Sequence, residues 1–132
     1  MSEPTTSGDD AGFNDIVGLI EGTVADGRAT IRMVAGDRHL NAAGTVHGGV
    51  IATLVDVAMG RAMASLIADD ERPVTIEMKV NYLEAGHPGE LVAEAWVSRR
   101  GRLFTVAHAE VTQDQDDGEE TVAEATGTFT SA

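Results

Sequence analysis

From Gly49 to Ile67 nearly every residue is apolar or small, and no proline interrupts the run. No other stretch limits so tightly what this chain can fold into. Its length predicts one helix of about five turns. Because it is apolar almost all round, it reads as a helix wrapped on several sides and not as a surface helix. Asp56 and Arg61 are its only charged residues. Arg61 can reach outward along its stem, but Asp56 is too short to do so. A carboxylate held in such a helix costs several kcal/mol unless it is paired or hydrated.

The start of this helix is equally unusual. Gly48 and Gly49 stand where Ser, Thr or Asp would ordinarily cap it, although glycine is entropically costly in a helix. The first N–H groups of a helix lack an internal partner and lie at the positive end of its dipole. Bare glycines leave those donors open to a ligand oxygen. Gly49, Ala52, Thr53, Asp56 and Gly60 then share one face at spacings of three and four. This makes a shallow groove running from exposed donors to one carboxylate. Donors for a developing oxyanion, with a base about two turns away, suit attack on a carbonyl. A tight turn at the glycines and a solvated Asp56 are the plainer readings. The two features together, at this spacing, favour a site.

The rest of the chain is built to cover that helix. Residues 1–12 read as a disordered acidic tail, which leaves 13–132 as a single domain. Phe13 to Leu19 has helical apolar spacing. Thr23–Ala25 and Ala29–Val34 flank an Asp26-Gly27 turn and read as a hairpin. Asp69 to Pro73 ends the long helix, because proline cannot continue it. Strands with period-two alternation follow at Val74–Leu83, Leu91–Arg99, Leu103–Thr112 and Thr121–Phe129. The prediction is an α+β domain, one long helix on one antiparallel sheet. The helix-facing side should carry Val74, Ile76, Met78, Leu91, Ala93, Leu103, Ala107, Ala125 and Phe129. Unbroken alternation puts Thr75 on the opposite side. That outer side also gathers Glu77, Glu94, Glu110 and Glu124 in a row, and it carries Trp96 and Phe104. Large aromatics on a face otherwise left to solvent suggest contact with another subunit.

Asn41-x-x-Gly44-x-x-His47-Gly48-Gly49, then Asp56, Thr75-x-Glu77 and Asn81-Tyr82-Leu83 resemble the hotdog-fold acyl-CoA thioesterases, in particular the phenylacetate-degradation (PaaI-type) group. The similarity spans roughly Ile20 to Phe129. It implies a long helix wrapped by an antiparallel sheet, a dimer with a continuous sheet, and active sites at the dimer interface. It further implies that the Gly48 N–H polarises the thioester carbonyl while Asp56 of the partner subunit acts as general base or nucleophile. Asn41 and His47 match positions that place the thioester or water, and Thr75 matches a supporting hydroxyl. Gly49 and Tyr82 join the substrate-binding set. No cofactor is implied, since coenzyme A is part of the substrate.

Composition bounds the partners. Nine basic residues against 22 acidic ones give a net charge of −13 and a pI near 4.4. Such a field repels nucleic acid and anionic membranes, and it repels coenzyme A phosphates unless cations are placed locally. Arg99, Arg100 and Arg102 form the one cationic cluster, suited to a bidentate phosphate clamp. With Lys79 the only lysine, the charge pattern points to a halophilic protein. The absence of cysteine removes disulfides and thiol chemistry. No signal-peptide pattern opens the sequence, so a cytoplasmic location is expected. His39, His47, His87 and His108 lack metal-ligand spacing, and no metal is expected. Leu54, Met59, Met63 and Tyr82 are candidates for the acyl pocket. The expected assembly is a dimer or a dimer of dimers. Two alternatives stand beside hydrolysis: a hotdog hydratase or dehydratase, and a non-catalytic acyl-CoA-binding module.

Overall fold

The computed structural model describes residues 12–132, so the expected tail lies, Gly12 apart, outside the described residues. In chain order come α1 (Phe13–Val17), β1 (Ile20–Ala25), β2 (Arg28–Ala35), a 3-10 turn (Asp37–His39), α2 (Gly48–Ala64), β3 (Pro73–Tyr82), β4 (Gly89–Arg100), β5 (Thr105–Gln115) and β6 (Gly118–Ser131). The six strands form one sheet in the order β1-β2-β4-β5-β6-β3, every pairing antiparallel. The β1–β2 turn works because Asp26 and Gly27 both adopt positive φ, 57° and 78°. That pair of values matches the right-handed twist of the strands it joins. No helix among the described residues is long and apolar enough to cross a membrane.

α2 lies on one face of the sheet. Leu54, Val55, Met59 and Met63 pack onto a sheet floor rich in alanine, with Ala93, Ala95, Ala107, Ala109, Ala123 and Ala125 all buried. Small residues on the sheet let the helix approach closely, and its long side chains fill the remaining space. Each fully buried Leu or Met contributes about 1.5–3 kcal/mol relative to exposure. The helix is shorter than its apolar run. The Ser65 hydroxyl donates to the Ala62 carbonyl and accepts the Gly27 N–H, both at 2.7 Å, which turns the chain aside at its C-cap.

Several expectations about faces fail. α2 is not wrapped all round: Gly49, Ala52, Thr53, Asp56, Val57, Gly60, Arg61 and Ala64 form a stripe that no other element buries. Small residues read as core in a sequence pattern, whereas here they line an open face. In β3 the register slips between Thr75 and Glu77, placing Thr75 opposite Phe129 and Glu77 opposite Thr128. This bulge at Ile76 reverses the alternation. Thr75 therefore turns toward α2 with buried Phe129, while Val74 and Ile76 are exposed. Leu103 and Phe104 fall in the β4–β5 turn and are exposed too, not on a strand face. On the outer face Glu94, Glu110 and Glu124 are directly cross-paired, but Asn81 and not Glu77 continues their row.

Candidate active site

The loop before α2 is stapled by Asn41. Its Oδ1 accepts the N–H groups of Ala43 and Thr45 at 2.9 and 3.2 Å, and its Nδ2 donates to Thr45 Oγ1 at 3.0 Å. The Asn41 amide is thus spent on shaping the loop. Flanking bonds from Val46 N–H to the Gly86 carbonyl and from His47 N–H to the His39 carbonyl, both 2.8 Å, fix where the helix begins.

His47 is the N-cap, and its Nδ1 accepts the Gly49 N–H at 2.8 Å. Gly49 is therefore not an open donor, contrary to expectation. Its lack of a side chain serves the cap, since a Cβ there would lie 3.0 Å from His47 Nδ1. With Nδ1 accepting, the neutral imidazole carries its proton on Nε2. The Val50 N–H is bonded to the His47 carbonyl at 2.9 Å. Gly48 is left as the one first-turn N–H without an acceptor among the described residues. It opens on a hollow of about 310 Å³ lined by Val46, Ile51, Tyr82, Leu83 and Gly86. Tyr82 lies at this hollow, its hydroxyl donating to the Gly48 carbonyl at 2.8 Å.

Asp56 sits half-buried on the open stripe of α2. Its Oδ1 accepts the Thr75 hydroxyl at 2.7 Å, the contact that the β3 bulge makes possible. Oδ2 has no partner among the described residues. Gly48 and Asp56 are eight residues apart, about 12 Å along the helix axis. A carbonyl under attack needs its oxyanion donor and its attacking group each within about 3 Å. One chain's Gly48 and its own Asp56 cannot both reach the same carbonyl.

A groove of about 570 Å³ leads from Asp56 past Gly60 and Arg61 to Ser65 and Ala68. Arg61 does not extend freely, as its Nε pairs with Glu21 at 2.9 Å. At that end of the fold lies the β4–β5 tip, tied there by the bond from Val97 N–H to the Gly27 carbonyl at 2.8 Å. Arg99, Arg100 and Arg102 on this tip are exposed, and none forms an ion pair among the described residues. Gly101 is required for the tip, because a Cβ would meet the Phe104 carbonyl oxygen at 2.7 Å. Leu54, Met59 and Met63 are sealed in the core and line no accessible pocket. Sequence reasoning missed Phe13, Asn14 and Met78, which stand beside Asp56; chain periodicity carries no signal for a contact between α1 and the middle of α2.

Residues 43–120 match the model of the Thioesterase superfamily. That span takes in Gly48, Asp56, Thr75 and the arginine tip but not Asn41. The chain is 33% identical over 92 residues to acyl-coenzyme A thioesterase 13 of Homo sapiens, covering 68% of this chain and 64% of that protein. A Pseudomonas aeruginosa protein of solved structure is 35% identical, with a TM-score of 0.86 over 92% of this chain and 94% of its own. A Streptococcus mutans protein solved bound to acetyl-CoA is 28% identical, with a TM-score of 0.76 over 86% of this chain and 88% of its own.

Proposed function

Since the chain belongs to the thioesterase superfamily, we propose that it hydrolyses acyl-CoA thioesters at a site shared between two copies. In this reading the Gly48 N–H of one copy holds the carbonyl oxygen, and Asp56 of the second copy supplies the attack. Asp56 takes a proton from water as hydroxide adds to the carbonyl carbon. The C–S bond then breaks, and the CoA thiolate recovers the proton. By the nucleophilic route, Asp56 adds directly and the resulting anhydride is hydrolysed. The observation that carries the proposal is the pairing of one open donor at Gly48 with one outward carboxylate at Asp56, too far apart in a single chain.

Two surfaces suit the second copy. The small-residue stripe of α2 lies open, and β3 is an edge strand paired only with β6, with Ile76, Tyr82 and Leu83 exposed. Such an edge is a template for pairing, and a two-fold contact would carry each Asp56 toward the other copy's Gly48. Acetyl-CoA bound to the Streptococcus mutans protein, and the activity named for the human relative, support the substrate class. His47 and Asn41 hold the helix start that presents Gly48, and Tyr82 borders the thioester. The unpaired arginine tip supplies the local cations that an acidic chain needs for the nucleotide phosphates.

Asp56→Asn tests the reading. The amide oxygen still accepts the Thr75 hydroxyl, so the melting temperature should stay near wild type. Loss of a positioned base lowers the rate by about 10²–10⁴. Turnover of acyl-CoA within about threefold of wild type would make Asp56 structural. A wild type that binds acyl-CoA and never releases thiol would favour the binding-module reading.

A further inference from the structure

Resting on the shared-site reading above, we propose that Arg61, held by Glu21, docks the 41–45 loop of the other copy. It thereby positions the Gly48 donor of that copy, the one that works with the Asp56 of Arg61's own chain. In the shared-site reading a two-fold axis sets Gly48 of one copy opposite Asp56 of the other, so the two α2 helices run antiparallel. Moving past Asp56 along one helix then means moving back from Gly48 along the other chain. Arg61 lies five residues past Asp56, about 7.5 Å along the axis. The segment that comes to face it is the loop leading into Gly48.

That loop is a preformed hairpin with a bare tip. Leu40 and Val46 are bridged, and the Asn41 N–H donates to the Thr45 carbonyl at 2.8 Å. At the tip Ala42, Ala43 and Gly44 are exposed, and their carbonyls accept no hydrogen bond among the described residues. None of them carries a side chain larger than a methyl group, so the tip is narrow enough to enter a groove. Gly60 and Ala64, equally small, flank Arg61 on the groove of about 570 Å³.

Arg61 presents the complementary donors. Its Nε donates to Glu21 at 2.9 Å, and its side chain is only 23% exposed. A guanidinium carries N–H donors on every nitrogen in one planar fork, and those on the Nη atoms have no partner among the described residues. No fully sealed side-chain polar atom among the described residues lacks a partner, so the Nη atoms open onto the groove. Covering them by a second copy requires acceptors, which the tip carbonyls supply. A coenzyme A phosphate suits this place less. Asp26, Asp56, Asp69 and Glu71 outnumber Arg61 and Arg72 in the groove lining and repel an anion, whereas a backbone loop is neutral. Glu21 fixes the fork, the fork fixes the hairpin tip, and the 2.8 Å bond from His47 N–H to the His39 carbonyl carries that position to the start of α2.

The experiment places Arg61→Ala in one chain of a mixed dimer. Asp56→Asn refolded with Gly48→Pro, which removes the open N–H, leaves a single working site. That site joins Gly48 of the Asp56→Asn chain to Asp56 of the Gly48→Pro chain. Arg61→Ala added to the Gly48→Pro chain should lower kcat of the mixture about tenfold or more, on acyl-CoA and on a short thioester lacking the nucleotide alike. Added to the Asp56→Asn chain, it touches only the site already inactive, and the rate should stay within about twofold. Each mixed dimer loses one Arg61 either way, so a general weakening of the dimer moves both mixtures equally. Should Arg61→Ala melt early, Arg61→Met with Glu21→Gln leaves no unpaired charge and reads the same contrast. No fall in either mixture, a fall as large or larger with Arg61→Ala on the Asp56→Asn chain, or a loss confined to KM for acyl-CoA would overturn the inference while the shared site stands. If the mixture with Arg61 intact is as inactive as its components, the shared-site reading itself is overturned.

Discussion

At Asp56 the account turns on a single hydroxyl. Thr75 donates to Oδ1 at 2.7 Å, which fixes the carboxylate; in the proposed mechanism Oδ2 is the atom that meets water or the substrate carbon. A hydrogen bond to a charged group is worth about 1.5–3 kcal/mol. Thr75→Val should therefore lower kcat by about tenfold or more with little change in KM, and Thr75→Ser should restore it. Steady-state kinetics on one acyl-CoA checks this, and a kcat unchanged in Thr75→Val would remove Thr75 from the site. Asp56 was legible in the sequence as the one acid on a glycine-marked helix face. The state of its neighbours was not. Whether the His47 ring folds back onto the Gly49 N–H depends on the backbone turn at His47, whose ψ is 135°, and no residue spacing encodes that. The expected pair of open donors is consequently one donor, at Gly48.

Among the elements, the existence of α2 and of the strands could be read from the spacing of their large apolar residues, which are the ones buried. The facing of β3 could not. Its alternation is broken by the single extra residue at Ile76, so Met78 and Val80 beyond it face the core as expected while Val74 and Thr75 before it are exchanged between faces. A sequence pattern smooths over such a slip, which is why Thr75 seemed to point away from the helix. The β4–β5 hairpin makes its own prediction. Arg100→Ala combined with Arg102→Ala removes two unpaired cations from an exposed tip. These residues would hold the carrier and not the reacting carbon, so KM for acyl-CoA should rise with kcat little changed. Hydrolysis of a short thioester lacking the nucleotide serves as control. An equal loss on that control would show that the tip acts on the fold and not on coenzyme A.

For the molecule as a whole, charge and assembly are the open terms. Three cross-paired glutamates, Glu94, Glu110 and Glu124, add local repulsion to a net charge of −13. The screening length falls from about 10 Å at 0.1 M salt to about 3 Å at 1 M. The melting temperature should rise between those concentrations, and a flat or falling curve would count against the halophilic reading. The stripe of α2 could not be assigned to an interface from sequence, because a helix stripe of small residues looks the same whether its own sheet or a second copy covers it. The structure leaves that stripe and the β3 edge uncovered. The sharing of one site by two chains is open to direct measurement with two variants, each defective in a different half. Asp56→Asn removes the attacking group. Gly48→Pro removes the open N–H at a first-turn position that tolerates proline, after a His47 whose extended ψ of 135° suits a following proline. Each variant alone should be nearly inactive. Refolded together in equal amounts, half of the random dimers would be mixed, each with one intact site, restoring about a quarter of wild-type thiol release. A mixture as inactive as its components would contradict the shared site.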